Sequence, residues 1–122
     1  HFLLKTQCPY CLRFTSEYKL KGAAIGGLVQ IFIKPDAEED ISKWSSKVSN
    51  GAPVIYQDND AKLADRFGIP GGYKFHSQEV HYPATILLDQ NGREFFRYVG
   101  KNNSDRLSFD AFEVEVRNKI GK

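Results

Sequence analysis

The run LVQIFI at residues 28–33 constrains the fold more than any other stretch of the chain. It is almost continuously apolar and rich in β-branched residues. A strand with one wet face would alternate apolar and polar residues, so a continuous run predicts a central strand that is covered on both faces. We therefore expect a sheet with helices on both sides.

A strand and a helix are predicted before this run. Residues 2–5 read as a short strand, and Cys8 and Pro9 then occupy the N-cap and first position of a helix, where the missing N–H of proline costs nothing. Gly22 is a suitable end for that helix. An apolar or small residue recurs every three or four positions along its inward face: Cys11, Phe14 or Thr15, and Tyr18.

Two more helices and a strand are predicted in the middle of the chain. Asp36 and Glu39 resemble a capping box, and the helix that they begin would end at Asn50 and Gly51. Its inward stripe is Ile41, Trp44 and Val48. A small strand at 53–56 and a third helix at 60–67 follow.

The last third of the chain predicts a hairpin and a final helix. Residues 70–81 have no helical period and are interpreted as a loop or small hairpin insertion. YPATILLD and REFFRYV flank QNG, where Asn91 and Gly92 favour a type I′ turn. Ser108 is a suitable cap for a helix whose apolar face comprises Phe109, Phe112, Val116 and Ile120.

This order of elements predicts one domain over residues 1–122, with an α/β architecture and a central mixed sheet flanked by helices on both faces. The net charge of +2 is too small to indicate a nucleic-acid surface, and no apolar run approaches the roughly 20 residues of a membrane span. The chain has no methionine, so we expect that an N-terminal segment was removed or left out. The compartment stays open between cytoplasmic and extracytoplasmic.

Cys8 and Cys11 are the two cysteines of the chain, and their spacing allows three interpretations. They could be a redox pair, two buried small side chains, or half of a zinc site completed by His76 and His81. A helix N-terminus favours the thiolate, because its backbone N–H groups and dipole supply partial positive charge. The redox interpretation makes Cys8 the nucleophile and Cys11 the thiol that resolves the mixed disulfide.

CPYC after a strand, followed by YPATILLDQNG, resembles the thioredoxin fold. The segments IYQDNDAKLADRFGI and HYPATILLDQNGREFFRYVGKNNSDR are similar to the redoxin branch of alkyl hydroperoxide reductase, thiol-specific antioxidant and thiol-disulfide oxidoreductase proteins. This resemblance implies a thioredoxin-like thiol-disulfide oxidoreductase without a cofactor or metal. It also implies disulfide or thiol substrates and a reducing partner of the thioredoxin or glutathione type.

The resemblance further implies a substrate platform beside the cysteines. Pro83 matches the cis proline of the family, and a cis bond there would turn the backbone of Tyr82 toward a substrate strand. Pro9 and Tyr10, between the two cysteines, would also contact substrate.

Departures from the family pattern leave two alternatives open. Lys5 stands three positions before Cys8, where the peroxidases have threonine or serine, and Phe14 replaces an acid, for which Glu17 could substitute. The arginines Arg93, Arg97 and Arg106 lie away from the position that the peroxidases use. A peroxiredoxin-like peroxidase with a peroxidatic Cys8 is therefore the second hypothesis, and a non-enzymatic zinc-binding or interaction module is the third.

Overall fold

A computed structural model describes residues 1–4, 9–48, 53–75 and 78–120 of the chain. The architecture is mixed α/β, as the sequence predicts. The elements in chain order are α1 (Pro9–Gly22), β1 (Phe32–Lys34), α2 (Glu38–Ser45), β2 (Ile55–Gln57), a 3₁₀ turn (Asn59–Ala61), α3 (Lys62–Arg66), β3 (Tyr73–Phe75), β4 (Gln78–Val80), β5 (Ala84–Leu88), β6 (Glu94–Val99) and α4 (Phe109–Ile120).

The strands form three short two-stranded ladders. β1 pairs with β2 in parallel, whereas β3 with β4 and β5 with β6 are antiparallel. Phe2 links the first and last of these ladders, because it forms a parallel bridge to Ile33 and an antiparallel bridge to Ala84. The N-terminal residues therefore lie between β1 and β5.

Two apolar clusters lie on opposite sides of β1. Phe32 belongs to the larger cluster, which contains the inward faces of α1 and α4, and Ile33 packs against the smaller one around Ala64 of α3. Successive strand residues point to opposite faces. The two faces of β1 therefore contact different apolar clusters.

The prediction of a covered strand from residue 28 onward is wrong for its first half. β1 begins at Phe32, Val29 is 80% exposed and Ile31 is 46% exposed. The parallel ladder with β2 begins only at Phe32, whose N–H donates to Val54 O, whereas the carbonyl of Ile31 accepts from the N-terminal ammonium of His1. The strand instead extends to Lys34, which is fully buried.

The predicted cap of the second helix is also wrong. α2 begins at Glu38, its N-cap residue is Ala37, and no side chain caps it. Asp36 is instead buried beside Lys34, where an ion pair replaces the capping bond. The helix ends at Ser45, and the predicted end at Asn50 and Gly51 lies outside the described residues.

The hairpin at β5 and β6 is confirmed, but its turn is not type I′. Gly92 has a positive φ of 80°, whereas Asn91 does not have a positive φ. Asp89 explains the difference, since its Oδ1 accepts hydrogen bonds from the N–H groups of Asn91 and Arg93. This side chain supports a turn in which only the glycine needs the left-handed region. Residues 70–81 contain the short β3–β4 hairpin, as expected.

The helix ends confirm other local predictions. α1 begins at Pro9 and ends at Gly22 with the predicted inward stripe buried. Ser108 Oγ accepts from the N–H of Ala111, so it caps α4. Ile120, the last member of the predicted α4 stripe, is exposed. Among the described residues, no helix is long and apolar enough to span a membrane.

Candidate functional site

Cys11 lies in the first turn of α1 and its side chain is fully buried. Pro9 and Tyr10, which precede it, are exposed at the start of the same helix. Cys11 is therefore enclosed by the protein, whereas the two residues before it are accessible from solvent. Cys8 and Lys5 lie outside the described residues.

Two donors point at the sulfur of Cys11. The backbone N–H of Leu4 lies 3.4 Å from Sγ, and Nη2 of Arg106 lies 2.9 Å from it. Hydrogen bonds and a positive charge at a sulfur favour its thiolate over its thiol form. Cys11 thus occupies a position that stabilises negative charge inside the protein.

Arg106 is held in a defined orientation by its own turn. Its Nε donates to Asn103 O at 3.0 Å, and its Nη2 donates to Asn103 Oδ1 at 3.0 Å. The guanidinium carbon also lies 5.3 Å from the ring centroid of Phe14, within cation–π range. These contacts hold the planar guanidinium of Arg106, and with it the positive charge, in one position beside Cys11.

The turn that carries Arg106 is fastened at both ends. Asp105 accepts from Tyr98 Oη at 2.5 Å and from the N–H of Lys101 at 2.7 Å. The bond from Tyr98, followed by that from Lys101, holds the pKa of the Asp105 carboxyl below its usual value, and the same bond raises the pKa of Tyr98. Tyr18 of α1 donates its hydroxyl to the carbonyl of Leu107. This last bond ties the turn to the helix of Cys11.

Pro83 lies on the Arg106 side of Cys11. A small space lined by Pro83, Phe14 and Arg106 has a volume of about 10 Å³, which is barely enough for one water molecule. The described residues contain no cis peptide bond, so the bond before Pro83 is trans and the prediction of a cis proline is wrong. Trans is the lower-energy isomer, and the neighbouring backbone is paired in this form, with the N–H of Gly100 donating to Pro83 O at 2.8 Å.

The backbone N–H of Tyr82 is already bonded within the protein. It donates to Pro70 O at 2.9 Å, so the prediction that this N–H pairs with a substrate strand is wrong. The ring of Tyr82 packs 5.1 Å from the ring of Tyr73 and lines an open cavity. Tyr82 therefore lines this cavity while its backbone N–H is bonded to Pro70.

The open cavity has a volume of about 280 Å³ and lies where residues 1–4, β1 and β2 end. In sheets of parallel strands this carboxyl edge is where ligands usually bind. Its floor is apolar and its rim carries three carboxylates and one imidazole. The lining includes Phe2, Leu4, Ile33, Ala64 and Val80 on the floor and Asp58, Asp60, Glu79 and His81 on the rim.

A buried ion pair fixes the wall between this cavity and Cys11. Lys34 Nζ donates to the carbonyl of Leu4 at 2.6 Å and lies 3.6 Å from Asp36 Oδ1. The ammonium also lies 4.8 Å from the ring centroid of Trp44. Leu4 is consequently held through both its N–H and its C=O, directly before residues 5–8.

Sequence reasoning missed Arg106 and Lys34 as site residues. Arg106 is 95 positions from Cys11, and no motif links the two. The sequence gives a weak indication of Lys34. A lysine that directly follows an apolar strand run is either buried with the strand or marks the end of the strand. The structure brings Cys11, Phe14 and Pro83 together around Arg106.

The zinc interpretation stays a prediction, because Cys8 and His76 lie outside the described residues. Within the described part of the chain, no three His, Cys, Asp or Glu side chains form a group that could hold a metal ion. His81 Nε2 lies 2.7 Å from Asp65 Oδ1. Asp58 caps the turn before α3, since its two carboxylate oxygens accept from the N–H groups of Leu63 and Ala64.

Comparisons of this chain with protein-family models, with curated proteins and with solved structures gave no match. What supports a function is therefore the motif, the strand pairing and the contacts of the site.

Proposed function

We propose that this protein is a thioredoxin-like thiol-disulfide oxidoreductase in which Cys8 is the nucleophile and Cys11 resolves the mixed disulfide. The observation that carries the proposal is the environment of Cys11. The buried sulfur of Cys11, in the first turn of α1, accepts hydrogen bonds from Nη2 of Arg106 and from the backbone N–H of Leu4. A structural cysteine needs neither donor.

The order of the strands supports the same class. Residues 1–3 lie between β1 and β5, and α1 connects them to β1 in a parallel crossover. Pro83 opens β5, which forms an antiparallel hairpin with β6 before the last helix. A CxxC motif at the start of the crossover helix, with a proline-led strand beside it, is the arrangement that the sequence resemblance implies.

The reaction consists of two thiol–disulfide exchanges. The Cys8 thiolate attacks one sulfur of a substrate disulfide, forms a mixed disulfide and expels the other sulfur as a thiolate. The Cys11 thiolate then attacks the Cys8 sulfur, expels the remaining substrate thiolate and leaves a Cys8–Cys11 disulfide. Two electrons pass to the substrate, whose thiolates take protons from water. One thioredoxin-type dithiol or two glutathione-type monothiols then reduce the Cys8–Cys11 disulfide and are themselves oxidised to a disulfide.

Arg106 acts in the second exchange as a positioning residue. Its charge lies 2.9 Å from the sulfur and favours the thiolate form that attacks the mixed disulfide. In the peroxidase alternative the activated sulfur is that of Cys8. Arg106 lies at the sulfur of Cys11, the thiol that attacks in the second exchange of the disulfide reaction.

Reduction of a chromogenic model disulfide tests this function with wild type, Cys8→Ser and Cys11→Ser. We expect Cys8→Ser to abolish turnover and Cys11→Ser to stop after one exchange, with a stable mixed disulfide on Cys8 visible by mass spectrometry. Ser46→Ala, at an exposed position at the end of α2, is the control and should keep the wild-type rate. Equal rates in all variants would overturn the proposal.

A further inference from the structure

The open cavity beside Leu4 combines two kinds of surface. Phe2, Leu4 and Val80 are buried apolar residues that form its floor. Asp60 and Glu79 are exposed carboxylates on its rim. A ligand that suits both must carry an apolar portion that ends in a positive charge.

The charge of the rim differs from that of the chain as a whole. The chain carries a formal net charge of +2 at pH 7, whereas three carboxylates line the cavity. His81, the one basic side chain among the described residues of the lining, is bonded to Asp65 at 2.7 Å. Long-range attraction to this chain would favour acidic substrates, so any preference for a basic group has to arise locally.

The volume and position limit the ligand further. About 280 Å³ is slightly below the roughly 300–1,000 Å³ of small-molecule sites, and it suits one long side chain. Leu4 lines the cavity, and its N–H lies 3.4 Å from the sulfur of Cys11. A polypeptide whose side chain occupies this cavity would therefore lie close to the CxxC motif.

We propose that this cavity is a specificity site for a lysine or arginine that neighbours the disulfide of a polypeptide substrate. The aliphatic stem packs on the apolar floor, and the charged end lies between Asp60 and Glu79. The inference rests on the proposed function for the redox step, but the cavity binds the basic side chain whether or not exchange follows.

The test uses three peptides that differ only at the residue next to their cysteine, which is arginine, glutamine or glutamate. Each is disulfide-bonded to a neutral chromogenic thiol, and kcat/KM for its release is measured. Wild type should prefer the arginine peptide over the glutamine peptide by roughly fivefold and disfavour the glutamate peptide. The preference should fall when salt is added, because the rim is exposed.

Variants and a binding assay identify the source of the preference. The double variant Asp60→Asn/Glu79→Gln should lose the arginine preference, measured as the ratio of kcat/KM for the arginine and glutamine peptides. The control Glu38→Gln/Asp110→Asn removes two exposed carboxylates from α2 and α4 and should keep the preference. Fluorescence anisotropy with peptides whose cysteine is serine measures binding without exchange.

The outcomes separate the two proposals. Reduction of all three peptides at equal rates would overturn the specificity site and leave the proposed function standing. Preferential binding of the arginine peptide without release of the chromogenic thiol would support the site and overturn the oxidoreductase. Equal loss of preference in the control variant would also overturn the site, since it would assign the effect to net charge.

Discussion

The small space at Pro83 and the cavity at Leu4 differ in size and in the charged groups that line them. The first measures about 10 Å³ and is lined by the guanidinium of Arg106 and the carboxylate of Asp105, whereas the second measures about 280 Å³ and has carboxylates on its rim. Arg106 is partly buried, whereas Asp60 and Glu79 are exposed, so water screens the charge of the arginine less. The guanidinium therefore acts mainly on the neighbouring sulfur of Cys11, and the rim carboxylates interact more weakly with their surroundings.

Leu4 separates these two regions and is in contact with both. Its N–H points to Cys11, its carbonyl accepts from Lys34, and its side chain lines the open cavity. A change at this residue should consequently disturb both regions. A change farther from Leu4 should disturb only one of the two regions.

The largest effect is expected at the shared wall. Lys34→Met leaves the carbonyl of Leu4 and the carboxylate of Asp36 buried without the ammonium, and removing one partner of a buried pair costs about 3 to 5 kcal/mol. Urea denaturation measures the change in the free energy of unfolding. The exposed pair of Arg117 and Glu113 provides the control, since Arg117→Ala should cost no more than about 0.5 kcal/mol. A loss below 1 kcal/mol in Lys34→Met would show that this wall does not depend on the pair.

The second-largest loss of stability is expected where Gly100 packs against Pro83. In Gly100→Ala the new Cβ would lie 2.0 Å from Asp105 O and 3.0 Å from Pro83 Cγ, so the turn that carries Arg106 has to move. We expect a loss of about 1 to 3 kcal/mol in the free energy of unfolding, measured by urea denaturation. Gly26→Ala meets nothing within 4 Å and should leave stability unchanged or slightly higher. Equal stability of the two variants would contradict the close packing at Pro83.

The third effect separates charge from packing at the sulfur. Arg106→Gln keeps much of the side chain but removes the charge, and a hydrogen bond to a charged group is worth about 1.5 to 3 kcal/mol. Resolution of a preformed mixed disulfide should slow by about tenfold or more, and the thiolate absorbance of Cys11 should appear at higher pH. Arg93→Gln, at an exposed turn, should change neither quantity. An unchanged pH profile in Arg106→Gln would assign a purely structural role to the arginine.

The smallest effect is a pH dependence of the turn. The folded state lowers the pKa of Asp105, so its contribution to stability is present above about pH 4 and is lost as the pH falls through the lower folded value. Tyr98→Phe removes the first cause of that shift and should cost about 1 kcal/mol at pH 7 and less in acid. Thermal unfolding across acid and neutral pH measures both values. An equal loss at every pH would contradict the role of the Tyr98 bond.

Local patterns predicted the elements well where one short segment determines the outcome. Pro9 and Gly22 mark the ends of α1 because helix initiation and termination depend on adjacent backbone. The pattern failed at Val29 and Ile31, since their exposure depends on how far the neighbouring strands extend. Apolar content alone does not contain that information.

The candidate site was predictable in part. The motif indicated Cys11 at a helix start and Pro83 at a strand start, and both lie where these patterns place them. Arg106 could not be found in this way, because its role depends on a turn fastened by Tyr98 and Asp105. Asp36 was misassigned because its buried carboxylate pairs with the side chain of Lys34, two residues before it, instead of capping the helix.

The burial of Trp44 under Lys34 has an optical consequence. The chain contains one tryptophan, so its intrinsic fluorescence arises from a single ring that lies 4.8 Å from the ammonium of Lys34. The emission of an indole shifts with the electric field around it. A change in the position of the Lys34 ammonium should therefore shift the emission of Trp44. The loss of its bond to the carbonyl of Leu4 could be followed in this way without an added label.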